Sequence, residues 1–304
     1  MIESTREPTF SVIVPTYRRD VALARCLEAL AHQTLSSDRF EVVVADDGSG
    51  APPRDLVARF GARLSITLVE AAHGGPGAAR NAAAARARGR FLALTDDDCA
   101  PDPAWLATLE RTLEREPDAL VGGRVENALV ENAMASASQL LISYLYEYFT
   151  RVRSPQRFFT TNNIGCAARS FREVGSFDVQ SLADTAEDRD LCDRWSRSGR
   201  PLVYDADAVV YHHNPFTLGT FAHCHFKYGQ GAVHFHRARN RRGGTPLRLE
   251  PLGFYAGMLA YPLRHDRPTR APVCSALIAL SQLSYACGYA LERVATSTSE
   301  QRRP

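Results

Sequence analysis

The sequence predicts an α/β protein: a doubly wound, mostly parallel sheet with flanking helices and a helical C-terminal extension. Three observations carry this. Short runs rich in Val, Ile and Leu alternate with segments whose apolar residues recur at helical spacing. Those runs are short and mostly apolar, as strands are. With 304 residues, 45% of them hydrophobic, the chain can bury a large core.

The first strand is FSVIVP at 10–15, where Pro15 is expected to stop the ladder for want of an N–H. A helix follows in DVALARCLEALAHQT at 20–34. The second strand, in FEVVVADDGS at 40–49, ends in Asp46 and Asp47, and PRDLVARF at 53–60 gives a short helix. LSITLVE at 64–70 is the third strand. After it, HGGPGAARNAAAARARG at 73–89 reads as a glycine turn opening an alanine-rich helix, with Pro76 near its first turn. RFLALTDDD at 90–98 is the fourth strand and ends in Asp96, Asp97 and Asp98. Farther on come a long helix at 131–151, a helix start in TAEDRDLCDRW at 185–195 and a strand in PLVYDADAVVYHH at 201–213. Two apolar segments, 251–263 and 271–295, complete the chain. The expected division is a nucleotide-binding, catalytic domain at 1–215 and a basic, His-rich loop with a helical extension at 216–304.

Charges nearly balance at +2, which argues against a general nucleic-acid binder. The seven cysteines are scattered, odd in number and never spaced C-x-x-C, so neither a disulfide framework nor a zinc ribbon is expected and a reducing cytoplasm fits. The opening MIESTREPTF has acidic residues and no apolar core of a secretory signal.

In sheets of this type the ligand crevice lies beyond the carboxyl ends of the strands, where these motifs converge. Three consecutive carboxylates repel one another and are costly to desolvate unless a cation sits among them; a divalent metal is the most compact one. Pro15, Thr16, Tyr17 and Arg18 place polar groups and a ring where a base can lie. Asp46 or Asp47 can accept from a pyrimidine N–H or a ribose hydroxyl. Gly75 opens a helix whose N–H groups suit a diphosphate, with Arg80 in its first turns.

The ordered set VPTYRR, VVVADDGS, GGPGAARNAA, LALTDDDCAPDPAWL, NNIGCAARSFREVGSFD and AEDRDLCDRW resembles the family-two glycosyltransferases of the GT-A fold, over about residues 10–215. The resemblance implies inverting transfer of one sugar from a UDP- or dTDP-sugar, with Mg²⁺ or Mn²⁺ bridging the diphosphate. The triplet then matches the DXD motif. Asp98 is the expected direct ligand, Asp96 binds the ribose or holds the ion through water, and Asp97 belongs to the nucleotide site. A carboxylate committed to a cation is a poor proton acceptor, so a separate base is needed. By the same resemblance it is Asp188, with Glu187 orienting it or the acceptor hydroxyl.

Asn162, Asn163 and Trp195 are the expected sugar and acceptor contacts; Leu191 and Trp195 also anchor the inner face of their helix. His212 or His213 can complete the metal set. His223, Cys224, His225, His234 and His236 match no recognised zinc spacing. Lys227, Tyr228, Gly229 and Gly231 are expected in a mobile basic loop over the diphosphate. The 271–295 segment carries Ser275, Ser281, Gln282 and Ser284, a poor lipid-facing pattern. It is expected to pack on the domain or lie on the inner membrane face, with Arg237, Arg239, Arg241, Arg242 and Arg248 favouring anionic lipid. Without Q-x-x-R-W, a single transfer to a glycan, lipid-linked or small-molecule acceptor is expected.

Overall fold

The computed structural model describes residues 7–152, 157–181, 185–244 and 249–301, so Arg248 and the first six residues lie outside the described residues. Its elements run β1 (Phe10–Thr16), α1 (Asp20–Leu30), β2 (Phe40–Asp46), α2 (Arg54–Phe60), β3 (Ile66–Glu70), α3 (Gly75–Ala84), β4 (Phe91–Leu94), β5 (Cys99–Pro101), α4 (Trp105–Arg115) and β6 (Leu120–Asn127). The rest are α5 (Ala133–Arg151), β7 (Ile164–Ala167), α6 (Ala168–Glu173), α7 (Glu187–Arg197), β8 (Leu202–His212), α8 (Leu218–Arg241), α9 (Leu252–Ala260), α10 (Pro262–His265) and α11 (Ala271–Gln301). They form two compact units that interleave along the chain. One comprises Met1–Glu126, Phe158–Val179 and Leu191–His213, the other Asn127–Arg157, Gln180–Asp190 and Asn214–Pro304.

The first unit holds an eight-stranded sheet of order β3-β2-β1-β4-β7-β6-β8-β5. β3, β2, β1 and β4 are parallel, and β1 and β2 are buried along their whole length, which is why they read as largely apolar runs. β7 then reverses direction against both β4 and β6, and β5 runs antiparallel to β8. Pro15 does not stop the ladder. Pairing with β4 ends at Ile13, so Pro15 has a strand neighbour on one side only, and β1 continues to Thr16 opposite Asp46. The core gathers Phe10, Val12, Leu27, Phe91, Trp105 and Leu109 between sheet and helices.

The second unit is helical. The expected loop at 223–236 is instead the middle of α8, which opens on a Thr217–Thr220 capping box. Its glycines are packing positions. A Cβ at Gly229 would stand 2.0 Å from the Tyr285 carbonyl oxygen of α11, and one at Gly288 would stand 2.0 Å from that of Phe226. Backbone-to-backbone approach on α8 thus covers one face of α11, while Leu283, Leu291 and Val294 are exposed. The 271–297 stretch of α11 is long and apolar enough to cross a bilayer by length and composition. Two expected lipid-facing arginines turn inward: Arg239 is buried, and Arg242 pairs with buried Asp190. The histidines of α8 are dispersed. His225 packs on Phe221 and Tyr228, His234 meets Glu292, and His236 meets Tyr289. None of the seven cysteines is joined in a disulfide.

Candidate active site

The strand ends of the first unit bring the predicted nucleotide residues together. Beyond β1, Arg18 takes a left-handed backbone (φ 55°), and its Nε donates to the Ser49 carbonyl at 3.1 Å. This ties the β1 loop to the β2 loop and leaves Tyr17 stacked on His73, ring centroids 4.9 Å apart, at an exposed lip. The two aspartates after β2 separate in role. Asp47 accepts from the Gly74 and Gly75 N–H groups at 2.9 and 3.0 Å, so it caps α3 and occupies donors expected to meet a diphosphate. Gly75 itself has φ 83°, a left-handed backbone that a β-carbon would strain. Asp46 accepts from the Ser49 N–H through Oδ2, whereas its buried Oδ1 has no hydrogen-bond partner. An unpaired buried acceptor is costly, and Asp46 is therefore the member of the pair poised for a ligand N–H or hydroxyl.

The triplet is matched acid by acid to cations. Arg80 reaches Asp96 at 2.6 Å; Arg19 reaches Asp97 at 3.1 Å and Asp98 at 2.6 Å; His212 Nε2 lies 3.2 Å from Asp98 Oδ1. The Thr16 hydroxyl also donates to Asp97 at 2.8 Å. His212 arrives through β5: three residues of antiparallel pairing set Cys99 opposite His212, and the His213 N–H donates to the Asp98 carbonyl at 2.8 Å. Burial pushes the Asp97 carboxyl up to about 7 against the pull of Arg19 and Thr16. Burial opposes the Asp98 charge too, yet His212 and Arg19 hold that carboxyl well below its usual range. His212 is raised in turn, Asp98 outweighing burial.

These residues fit a divalent cation. Asp98, Cys99 and His212 bring one potential ligand atom each to within 4.8 Å of one another, and the acids cannot all hold charge cheaply without added positive charge. Carboxylate oxygen and imidazole nitrogen suit Mg²⁺ or Mn²⁺, whereas the Cys99 thiol, pushed well up by burial and by Asp96 and Asp98, stays protonated and is no partner for a hard ion. The sequence reading missed Arg19, His73 and Cys99. Arg19 had a signal, a second basic residue directly after VPTYR, but its reach to residues 79 positions away had none.

Three expected sugar or acceptor contacts lie elsewhere or are already engaged. The Asn163 amide is spent inside the sheet unit, accepting from Trp105 Nε1 at 2.9 Å and donating to the Arg124 and Ala208 carbonyls at 2.9 and 2.8 Å. Trp195 is fully buried with its indole N–H on the Asp118 carbonyl, so it anchors α7 together with buried Leu191. Asn162 is buried and accepts from the Thr160 hydroxyl at 2.7 Å. Glu187 and Asp188 stand in the first turn of α7, where Asp188 Oδ1 accepts from the Arg189 N–H at 2.7 Å.

The sequence pattern described as Glycosyl transferase family 2 matches residues 11–175. The glycosyltransferase AglE of Haloferax volcanii is 28% identical over 235 residues, 74% of this chain and 73% of that one. Validoxylamine A glucosyltransferase of Streptomyces hygroscopicus subsp. limoneus is 29% identical over 229 residues, 66% of this chain and 51%, about half, of the relative. The mannosyltransferase PcManGT of Pyrobaculum calidifontis, solved with GDP-Man and Mn²⁺, superposes with a TM-score of 0.62 at 20% identity, covering 99% of this chain and 82% of that one.

Proposed function

The chain belongs to glycosyltransferase family 2, an inverting family using nucleotide-sugar donors, and from that premise we propose that it moves one sugar from a UDP- or dTDP-sugar to an acceptor hydroxyl. The observation that carries the proposal is the cluster of Asp96, Asp97 and Asp98 with Arg19, Arg80 and His212 at the strand ends. Asp98 and His212, with Asp96 beside them, would hold Mg²⁺ or Mn²⁺. The ion supplies Lewis-acid stabilisation to a departing diphosphate.

Asp46 Oδ1 receives the base N–H, and Tyr17 with His73 offers a flat face to the ring. Arg80 holds Asp96 in place toward the ribose side. Asp188 takes the proton from the attacking hydroxyl, and a single displacement inverts the anomeric centre. Glu187, in the same turn, orients that hydroxyl. The acceptor is a glycan, a lipid-linked carrier or a small molecule of glycoconjugate synthesis. Exposed Leu283, Leu291, Val294 and Arg293 of α11 support work in the cytoplasm at the inner face of the membrane.

Calorimetric titration of UDP, dTDP and GDP with and without Mn²⁺ tests the donor half. The expected result is one nucleotide that binds with metal, loses on the order of 100-fold in affinity in Asp98→Ala and keeps its affinity in Asp188→Asn. Binding of none, or equal binding in Asp98→Ala, overturns it.

A further inference from the structure

The residue that leads into α7 is held in an unfavourable backbone. Ala186, immediately before Glu187 and Asp188, has φ 70°, a region that costs a residue with a β-carbon on the order of 1 kcal/mol or more. Such a conformation persists only where its surroundings impose it. Within the second unit, α8 packs against the residue before it.

At Gly231 a Cβ would stand 1.9 Å from the Thr185 hydroxyl oxygen, 2.7 Å from its Cβ and 3.1 Å from its carbonyl oxygen, so residue 185 is seated directly on the α8 backbone. The Thr185 hydroxyl donates to the Lys227 carbonyl at 3.3 Å, one turn earlier on the same helix. On the other side of Ala186, the Asp190 N–H donates to the Ala186 carbonyl at 3.0 Å, and the buried Asp190 carboxylate pairs with Arg242 at the end of α8. Thr185 before the strained residue and Asp190 after it thus bear on α8 and on Arg242, the residue that follows it.

We infer that Gly231 is a positioning residue for the proposed base. Its missing side chain lets α8 seat Thr185 and so fixes the turn that aims Asp188. This rests on the reading of Asp188 as base, and it explains a glycine in the interior of a long helix, a position that otherwise costs about 1 kcal/mol against alanine.

The test compares Gly231→Ala, Gly231→Ala with Thr185→Gly, Thr185→Val, Gly288→Ala and Asp188→Asn. Each is assayed for nucleotide release from UDP-glucose, dTDP-glucose and GDP-mannose with Mn²⁺ and water as acceptor. In Gly231→Ala, kcat should fall about 100-fold while donor KM and nucleotide Kd stay within about twofold, the signature of a misplaced group. Replacing Thr185 by glycine in that background should restore about tenfold, and Thr185→Val, which keeps the shape and loses the hydroxyl, should cost about threefold in kcat. Gly288→Ala, which disturbs the contact of α11 with α8, should lower Tm and leave kcat unchanged. Amide exchange at 187–190 should rise in Gly231→Ala and not in Gly288→Ala.

Retained kcat in Gly231→Ala, an equal kcat loss in Gly288→Ala, or unchanged exchange at 187–190 overturns the inference, the last even where no donor turns over. Full activity in Asp188→Asn overturns instead the reading of the base. Its loss there beside an active Gly231→Ala discards the positioning role alone.

Discussion

The acidic triplet at 96–98 and the acidic turn at 187–190 are alike in sequence and opposite in construction. Each carboxylate of the triplet lies against a guanidinium or an imidazole: Arg80 of α3 on Asp96, Arg19 beyond β1 on Asp97 and Asp98, and His212 at the end of β8 on Asp98. In the turn, the Asp190 carboxylate pairs with Arg242, while Asp188 accepts an N–H of its own turn. The triplet is arranged to share charge with cations. The turn commits the Asp190 carboxylate to Arg242 as an anchor, one residue pair rather than a shared cluster.

The sharpest way to break this comparison is Asp188→Asn. It should lower kcat by about 10²–10⁴-fold, the range of a lost general base, with nucleotide Kd unchanged by calorimetry. A parallel loss of nucleotide binding would merge the two clusters into one site for metal. Arg19→Ala probes the triplet from the other side. Removing the guanidinium from Asp97 and Asp98 should raise Mn²⁺ affinity in the absence of nucleotide by about tenfold, read by electron paramagnetic resonance of the free ion, because one competitor for the acids is gone. Unaltered affinity would show that Arg19 and the ion do not compete.

Two smaller effects sharpen what is structural in each unit. Asn163→Ala should destabilise by about 2–4 kcal/mol in urea denaturation, since it strands the Trp105 indole and two carbonyls, and should leave donor KM unchanged. A large KM change would return Asn163 to the sugar site. In the second unit, burial lowers the His225 imidazole to about 4, below its unfolded value. The unfolded chain therefore binds the extra proton first, and stability is complete above about pH 6.5 and is lost as pH falls toward 4, by at most roughly 3 kcal/mol. Denaturation midpoints of wild type and His225→Phe measured from pH 7 to 4 should diverge in that window; parallel curves would remove His225 as the cause.

The half of the fold built from parallel strands was legible because β1 and β2 are buried along their whole length and are mostly apolar, with polar exceptions such as Ser11 and Glu41, which bond each other. The antiparallel half was harder. β5 is three residues long and β7 four, too short to leave a period in the sequence. The site's acids were visible as types, yet their division of labour was not: Asp46 and Asp47 are adjacent and chemically identical, and only the fold assigns Asp47 to the cap of α3. Asn163 and Trp195 were misassigned because a polar or aromatic side chain in a motif says nothing of which way it faces. The α8 glycines read as a loop because glycine marks turns in most settings, and the backbones that crowd Gly229 and Gly231 come from far along the chain.

The short pairing of β5 with β8 has a consequence for error tolerance. Successive residues of a strand face opposite ways, so a slip of one position along β8 would turn His212 away from Asp98. The next residue is His213. A misregistered edge would offer the same acid another imidazole in place of the first.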